Sequence, residues 1–262
     1  MNKDMKNNIT ILKNLSIVYN QMKTRITSDT KSLISLISAF LIVFLIRSML
    51  AIMDTVFIVD EYPVQRIFFI MSTSLLIMGI EIGFTKFLFY QVDKKNKSLL
   101  IIFNYFHVLG KYLTGTALFY LCVFIGVMPG FLYLYIQYGH EFVNIIYTSW
   151  GDPYFQELVS AYFNVNDILI VLILILFPAM YISLRLSFWS YFLVDKEYSG
   201  IKSITSSYCL TKNKEIEIFS YLIIILIFNL LGLLSIIGIC FTIPLTYLFL
   251  CKYYRLLIVN QS

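Results

Sequence analysis

Residues 221–239 read YLIIILIFNLLGLLSIIGI, with no charged side chain from one end to the other. A helix of that length rises about 28 Å at about 1.5 Å per residue, close to the roughly 30 Å of hydrocarbon in a bilayer. The run is apolar on every face, so it suits lipid on all sides and not the edge of a soluble core. Runs at 33–46, 67–80 and 168–180 reach the same length once their flanks are included. A membrane barrel requires segments of about ten residues that alternate apolar and polar, which none of these runs does. Composition agrees: the 262 residues are 59% hydrophobic and 13% charged, against about a quarter charged in soluble domains.

Working outward, 218–257 is long enough for a hairpin of two spans, broken near 238–244 where Gly238 and Pro244 stand. Before it lies a basic linker, 195–217, in which Lys196, Lys202, Lys212 and Lys214 accompany Ile201, Ile204, Tyr208 and Leu210 in the pattern of a surface helix. Further spans are expected over 33–53, 67–90, 112–135 and 168–194. Residues 99–108 are too few to cross and predict a helix lying at the interface, as does the amphipathic pattern of Ile11, Leu12, Leu15, Val18 and Met22 in a cytoplasmic 1–32 segment. The predicted fold is all-α: a polytopic integral membrane helical bundle of about six transmembrane helices plus amphipathic interfacial helices, with 33–262 a single membrane domain. Because 1–31 is polar and basic, the first span is expected to act as its own signal anchor.

Orientation follows from the lysines and arginines. The amino-terminal segment, the Lys94 turn, the 195–217 linker and the carboxyl end hold nearly all those outside the spans, and Arg66 alone clearly dissents. The 137–167 connection carries His140, Glu141, Asp152, Glu157 and Asp167 but no Lys or Arg. An even number of spans with both termini cytoplasmic, in the plasma (inner) membrane, is the expectation.

Ionisable groups inside spans cost about 2.5–3.5 kcal/mol each on insertion scales, so Arg47, Glu81 and Arg185 form the candidate intramembrane charge network. Glu81 stands about 21 Å and Arg185 about 25 Å from the outer starts of their spans, which makes them a candidate pair, with Asp54 the expected neighbour of Arg47. Such charges either staple helices together or line a proton or ion path. In the outer loop, Trp150, Asp152 and Tyr154 mark a candidate recognition patch, weighed against a loop resting on the outer leaflet. Tyr112, Tyr133, Tyr135, Tyr181, Tyr191, Tyr253 and Tyr254 fall near span ends, where aromatic rings anchor in the headgroup layer.

His107 and His140 sit in no metal-binding pattern, the four cysteines have no paired ligand spacing, and the glycines make no phosphate loop. No cofactor, metal, catalytic residue or nucleic-acid partner is expected.

Two motifs carry a family likeness. One runs from Val194-Asp195-Lys196 through Ile201-Lys202-Ser203-Ile204 to Ser207-Tyr208-Cys209-Leu210-Thr211-Lys212-Asn213; the other joins Gly232 and Gly238, Ile243-Pro244-Leu245 and Tyr254-Arg255. With Met128-Pro129-Gly130-Phe131 and the 79–87 stretch, they resemble the YciC-like proteins and the membrane domain associated with some glycerophosphodiester phosphodiesterases. The acidic insertion after Gln137 and Asn213 in place of the usual glycine depart from that pattern. The resemblance implies six helices and transfers no activity. The function expected is non-enzymatic: envelope-associated support or an accessory subunit of a transport system, with the bilayer, anionic lipids or another membrane protein as partners. A small-solute transporter using the intramembrane charges is the alternative.

Overall fold

The computed structural model describes residues 30–56, 63–95, 97–149 and 164–259, with Ser16 and Asn20. The amphipathic pattern expected in 1–32 lies almost wholly outside them. Among the described residues, eight α-helices follow in order: α1 Thr30–Val56, α2 Pro63–Val92, α3 Leu109–Ser149, α4 Val165–Arg185, α5 Trp189–Lys196, α6 Gly200–Leu210, α7 Glu215–Leu233 and α8 Ile236–Val259. Six stretches of the described residues are long and apolar enough to cross a membrane: Thr30–Met53, Ile67–Val92, Leu99–His140, Val165–Lys196, Glu215–Leu233 and Gly238–Val259. The chain is a multi-pass, all-α integral membrane protein. Large apolar side chains such as Phe68, Phe124, Ile173 and Leu231 stand exposed along these helices, as lipid contact requires.

The 33–262 stretch, expected as one domain, carries two compact units. The first comprises Met1–Gly115 and Phe188–Ser262. In it α1 packs on α2, α8 packs on α1, α2 and α7, and α5 joins α2 to α6. Leu36, Ile82, Phe87, Leu193, Tyr221 and Tyr253 fill its core.

Residues 99–108 do not form the expected interfacial helix. They make two 3-10 turns, Leu99–Phe103 and Phe106–Val108, that bury Ile102 and Val108 against α2. Glycine on α2 is the reason: a Cβ at Gly83 would run into the Ile102 carbonyl, and one at Gly79 into the Phe106 ring.

The span expected over 168–194 is two helices. The amide of Phe188, which would continue α4, donates instead to the Ser207 hydroxyl at 3.1 Å. The hairpin break falls at 234–235, ahead of the expected 238–244. Gly238 approaches the Gly232 carbonyl and donates to Ser235, closing the turn, while Pro244 is carried inside α8.

The second unit, Thr116–Ser187, holds most of α3 and all of α4. Gly126 lies against Ile182 and Pro178, and Gly130 against Ile175. These glycines stand four residues apart, the small-residue spacing that lets membrane helices approach closely. The expected third span, 112–135, is too short: α3 continues to Ser149 through a non-helical Gly139 (φ 57, ψ −135). Glycine alone takes that conformation readily. Part of the connection expected over 137–167 is therefore helical.

Candidate functional site

At the end of the first unit where α2, α5 and α8 meet, three charged side chains converge. Two left-handed residues set them up: Lys94 (φ 56) turns the chain just after α2, and Glu197 (φ 54) ends α5. Asp93 and Asp195 thereby face Arg255, near the end of α8. The Arg255 guanidinium donates to both oxygens of Asp195, at 2.7 and 2.8 Å, and to Oδ2 of Asp93 at 2.8 Å. The Tyr254 hydroxyl lies 3.4 Å from Asp195 Oδ2, and the Phe89 ring lies under the guanidinium at 4.9 Å. Planar bidentate pairing over an aromatic face is geometry that arginine supplies and lysine does not.

Lysines complete the frame. Lys86 Nζ donates to the Val194 carbonyl at 2.9 Å and Lys111 Nζ to the Glu197 carbonyl at 3.1 Å, satisfying carbonyls that the end of α5 leaves without helical partners. The Tyr90 and Tyr105 hydroxyls meet at 3.0 Å, with Lys86 5.1 Å from the Tyr105 ring centre and Lys97 5.8 Å from that of Tyr90. Lys202 sits 4.0 Å over Tyr198. Lys94, Lys95, Lys97, Lys111 and Lys202 remain exposed around this end, and Lys212, after α6, is exposed as well.

Next to the clamp, α7 enters with Glu217 buried beside Tyr221 and Tyr253, whose rings stack at 3.8 Å. Burial lowers the Lys214 ammonium below the ordinary lysine value, and the Glu217 carboxylate opposes that shift. The run Tyr253-Tyr254-Arg255 thus addresses Glu217, Asp195 and Asp93 in turn. The aromatic-anchor reading fails for Tyr253 and Tyr254, which are fully buried; they fill the space between these carboxylates and Phe188.

The linker 195–217 is likewise not a solvated surface. Its α6 buries Ser203, Ser207, Leu210 and Thr211 and exposes Ile201 and Tyr208. Asp195 and Glu217, which the sequence places in that basic linker, are buried carboxylates. The sequence contained a signal for them: each is an acid flanking an apolar run, and Arg255 closes another. Charge-counting assigned all three to loops.

The intramembrane candidates distribute differently. Arg47 donates to Glu81 Oε1 at 2.9 Å, so the partner of Arg47 is Glu81 on the neighbouring α2. This pairing was not among those expected, and it follows from α1 and α2 packing side by side; the Asp54 side chain lies outside the described residues. Arg185 is buried as the basic last-turn residue of α4, where the helix dipole favours a cation.

In the second unit, Asp167 in the first turn of α4 accepts hydrogen bonds from Tyr133 at 2.7 Å and Tyr138 at 2.6 Å. Tyr138 also accepts from the Asn164 amide at 3.2 Å. This clasp ties α3 to α4. His140 contacts Tyr135 edge-on. Trp150, Asp152 and Tyr154 lie outside the described residues.

Glu81, Asp93, Asp167 and Asp195 are matched to named donors, and the arrangement around Arg255 is that of a charge clamp fixing helix ends. Among the described residues, no group of three His, Cys, Asp or Glu side chains is arranged to hold a metal. No family model, curated protein or solved structure matches the chain.

Proposed function

We propose that the chain is a non-enzymatic support protein of the plasma (inner) membrane, an envelope factor or accessory subunit whose basic end faces the cytoplasm and binds anionic lipid headgroups. The observation that carries this reading is the set of exposed lysines at 94, 95, 97, 111 and 202 beside a clamp whose own charges are paired, with Lys212 exposed after α6. A polybasic surface beside a membrane gains about 1 kcal/mol per Lys or Arg from anionic lipid. The same lysine distribution supports both termini lying in the cytoplasm. The resemblance to the YciC-like proteins belongs to this proposal and adds a six-helix membrane family with no reaction of its own.

The test is reconstitution into vesicles of phosphatidylcholine alone or with phosphatidylglycerol, followed by native mass spectrometry of retained lipid. Replacing Lys94, Lys95 and Lys97 together by Gln removes about 3 kcal/mol of attraction, a loss of roughly a hundredfold in phosphatidylglycerol retention. Equal retention by the variant would refute the reading. A small-solute permease is the second reading, favoured by one observation, the Arg47–Glu81 pair within the spans. It predicts solute flux into the same vesicles that Glu81→Gln abolishes.

A further inference from the structure

Arg47 and Glu81 form an ion pair in a place where lipid gives it no help. Glu81 is about 21 Å from one end of the Ile67–Val92 span and about 16 Å from the other, near its middle. Yet the Arg47 side chain is 64% exposed and that of Glu81 38% exposed. The pair is joined by one hydrogen bond, Nη1 to Oε1. A guanidinium offers five N–H donors and a carboxylate about four acceptor positions, so most of the capacity of both groups is directed outward. Water satisfies such groups at a protein surface, but hydrocarbon does not.

The surroundings of the pair are those of a contact face. Phe44 stacks near Phe40 at 6.1 Å, Phe40 meets Phe84 at 6.5 Å, and Phe84 meets Tyr247 edge-on at 6.0 Å. These rings join α1, α2 and α8 beside the charges, and Phe44 and Tyr247 remain 54% and 44% exposed. Arg and Tyr, which Arg47 and Tyr247 supply here, are among the residues enriched at the energetic centres of interfaces.

We propose that this face of α1, α2 and α8 is where two copies of the chain associate in the bilayer. The argument for a second copy is charge complementarity. A positive group beside a negative one, rotated by a two-fold axis, sets Arg47 of each copy against Glu81 of the other. Four charges then close into a ring in which each carboxylate accepts from two guanidinium groups, and the open donors and acceptors are used within protein. A partner carrying a single sign of charge would satisfy one member of the pair and repel the other.

The experiment uses two differently tagged full-length chains, the wild type and the charge-exchanged R47E/E81R variant, produced together in one membrane. The exchange keeps the ion pair within each chain, and each species remains complementary to itself. A mixed pair sets arginine against arginine and glutamate against glutamate. Co-purification and single-molecule photobleaching in bilayers should show wild-type pairs and exchanged pairs at similar levels, with mixed pairs at least about tenfold rarer. Mixed pairs as abundant as like pairs would overturn the proposal, and so would a wild type that is monomeric in bilayers, an outcome leaving the face to lipid or to another membrane protein. Should the exchanged chain fail to accumulate, Phe44→Cys in a chain with Cys122, Cys209, Cys240 and Cys251 replaced by Ser decides: oxidation gives a chain-to-chain disulfide at Phe44→Cys and none at Leu226→Cys on α7, and no disulfide at Phe44→Cys overturns the proposal.

Discussion

Replacing Asp195 by Asn tests whether the clamp holds the first unit together. The substitution keeps the size of the side chain and removes its charge and one of its two acceptor oxygens. Asp195 holds Arg255 through both oxygens, at 2.7 and 2.8 Å, and its side chain is only 8% exposed. Removing one partner of a buried pair costs about 3–5 kcal/mol, because the other charge is left without compensation. Arg255 retains Asp93 at 2.8 Å and is itself 25% exposed, so the lower figure, about 3 kcal/mol, applies. At about 2–4 °C per kcal/mol for chains of comparable size, Asp195→Asn should melt about 6–12 °C below the wild type. Asp93→Asn loses a single, more exposed bond and should cost about 1 kcal/mol. The assay is thermal unfolding in one detergent, followed by Trp fluorescence, with Asp195→Asn/Arg255→Gln completing a double-mutant cycle. The double variant should be less destabilised than the sum of the singles, since no buried charge remains unmatched. If Asp195→Asn melts with the wild type, or Asp93→Asn proves the costlier change, the clamp is not what fixes these helices.

Two further substitutions test the packing around it. Gly83→Val drives a side chain into the Ile102 carbonyl, a backbone group that cannot swing aside, so the cost should reach the upper part of the roughly 1–3 kcal/mol range for overpacking and the 99–108 segment should lift from α2; faster proteolysis at Lys94, Lys95 and Lys97 would report it. Ser207→Ala removes the acceptor of the Phe188 amide and should cost about 1–3 kcal/mol, seen as a lower melting temperature and faster hydrogen exchange at Phe188; unchanged exchange there would show that the α4 to α5 break does not depend on the hydroxyl.

The spans were legible because a bilayer imposes length and composition, and 221–239 satisfies both without reference to the rest of the chain. Helix breaks were harder. The stretch 186–188 carries no helix-breaking Gly or Pro, and the Phe188 amide there is taken by Ser207, far along the sequence, which a local window cannot register. Gly83 gave no sign of its role either, since a glycine in an apolar run marks close approach without saying what approaches. Depth arithmetic identified Glu81 as an intramembrane charge but not its partner, which depended on which helices are neighbours. Arg255, Asp195 and Asp93 stayed hidden because each stands at the edge of an apolar run, where a charge is inexpensive and looks like a loop residue.

Helix α6 makes the same point about which residues face inward. Its sequence was read for apolar residues, and Ile201, Ile204, Tyr208 and Leu210 were found in the pattern of a surface helix. The residues packed inward are Leu210 and, one every four positions, Ser203, Ser207 and Thr211, all of them buried. Ser199 stands one step earlier in the same series and caps the helix by accepting from the Lys202 amide. On the same side, Gly200 lies against Thr114 and Gly115 at the start of α3. A stripe of small hydroxyl residues at that interval lets backbones approach and exchange hydrogen bonds, which is how helices associate when the surrounding medium is as apolar as leucine. On α6 the small hydroxyl residues pack inward beside Leu210, while Ile201 and Tyr208 stay exposed together with Lys202, whose ammonium reaches the Tyr198 ring. Periodicity therefore identifies the helix, while which residues face inward is decided by what packs against it: here Gly115 and Thr114 admit a glycine and small hydroxyls more readily than Ile201 or Tyr208.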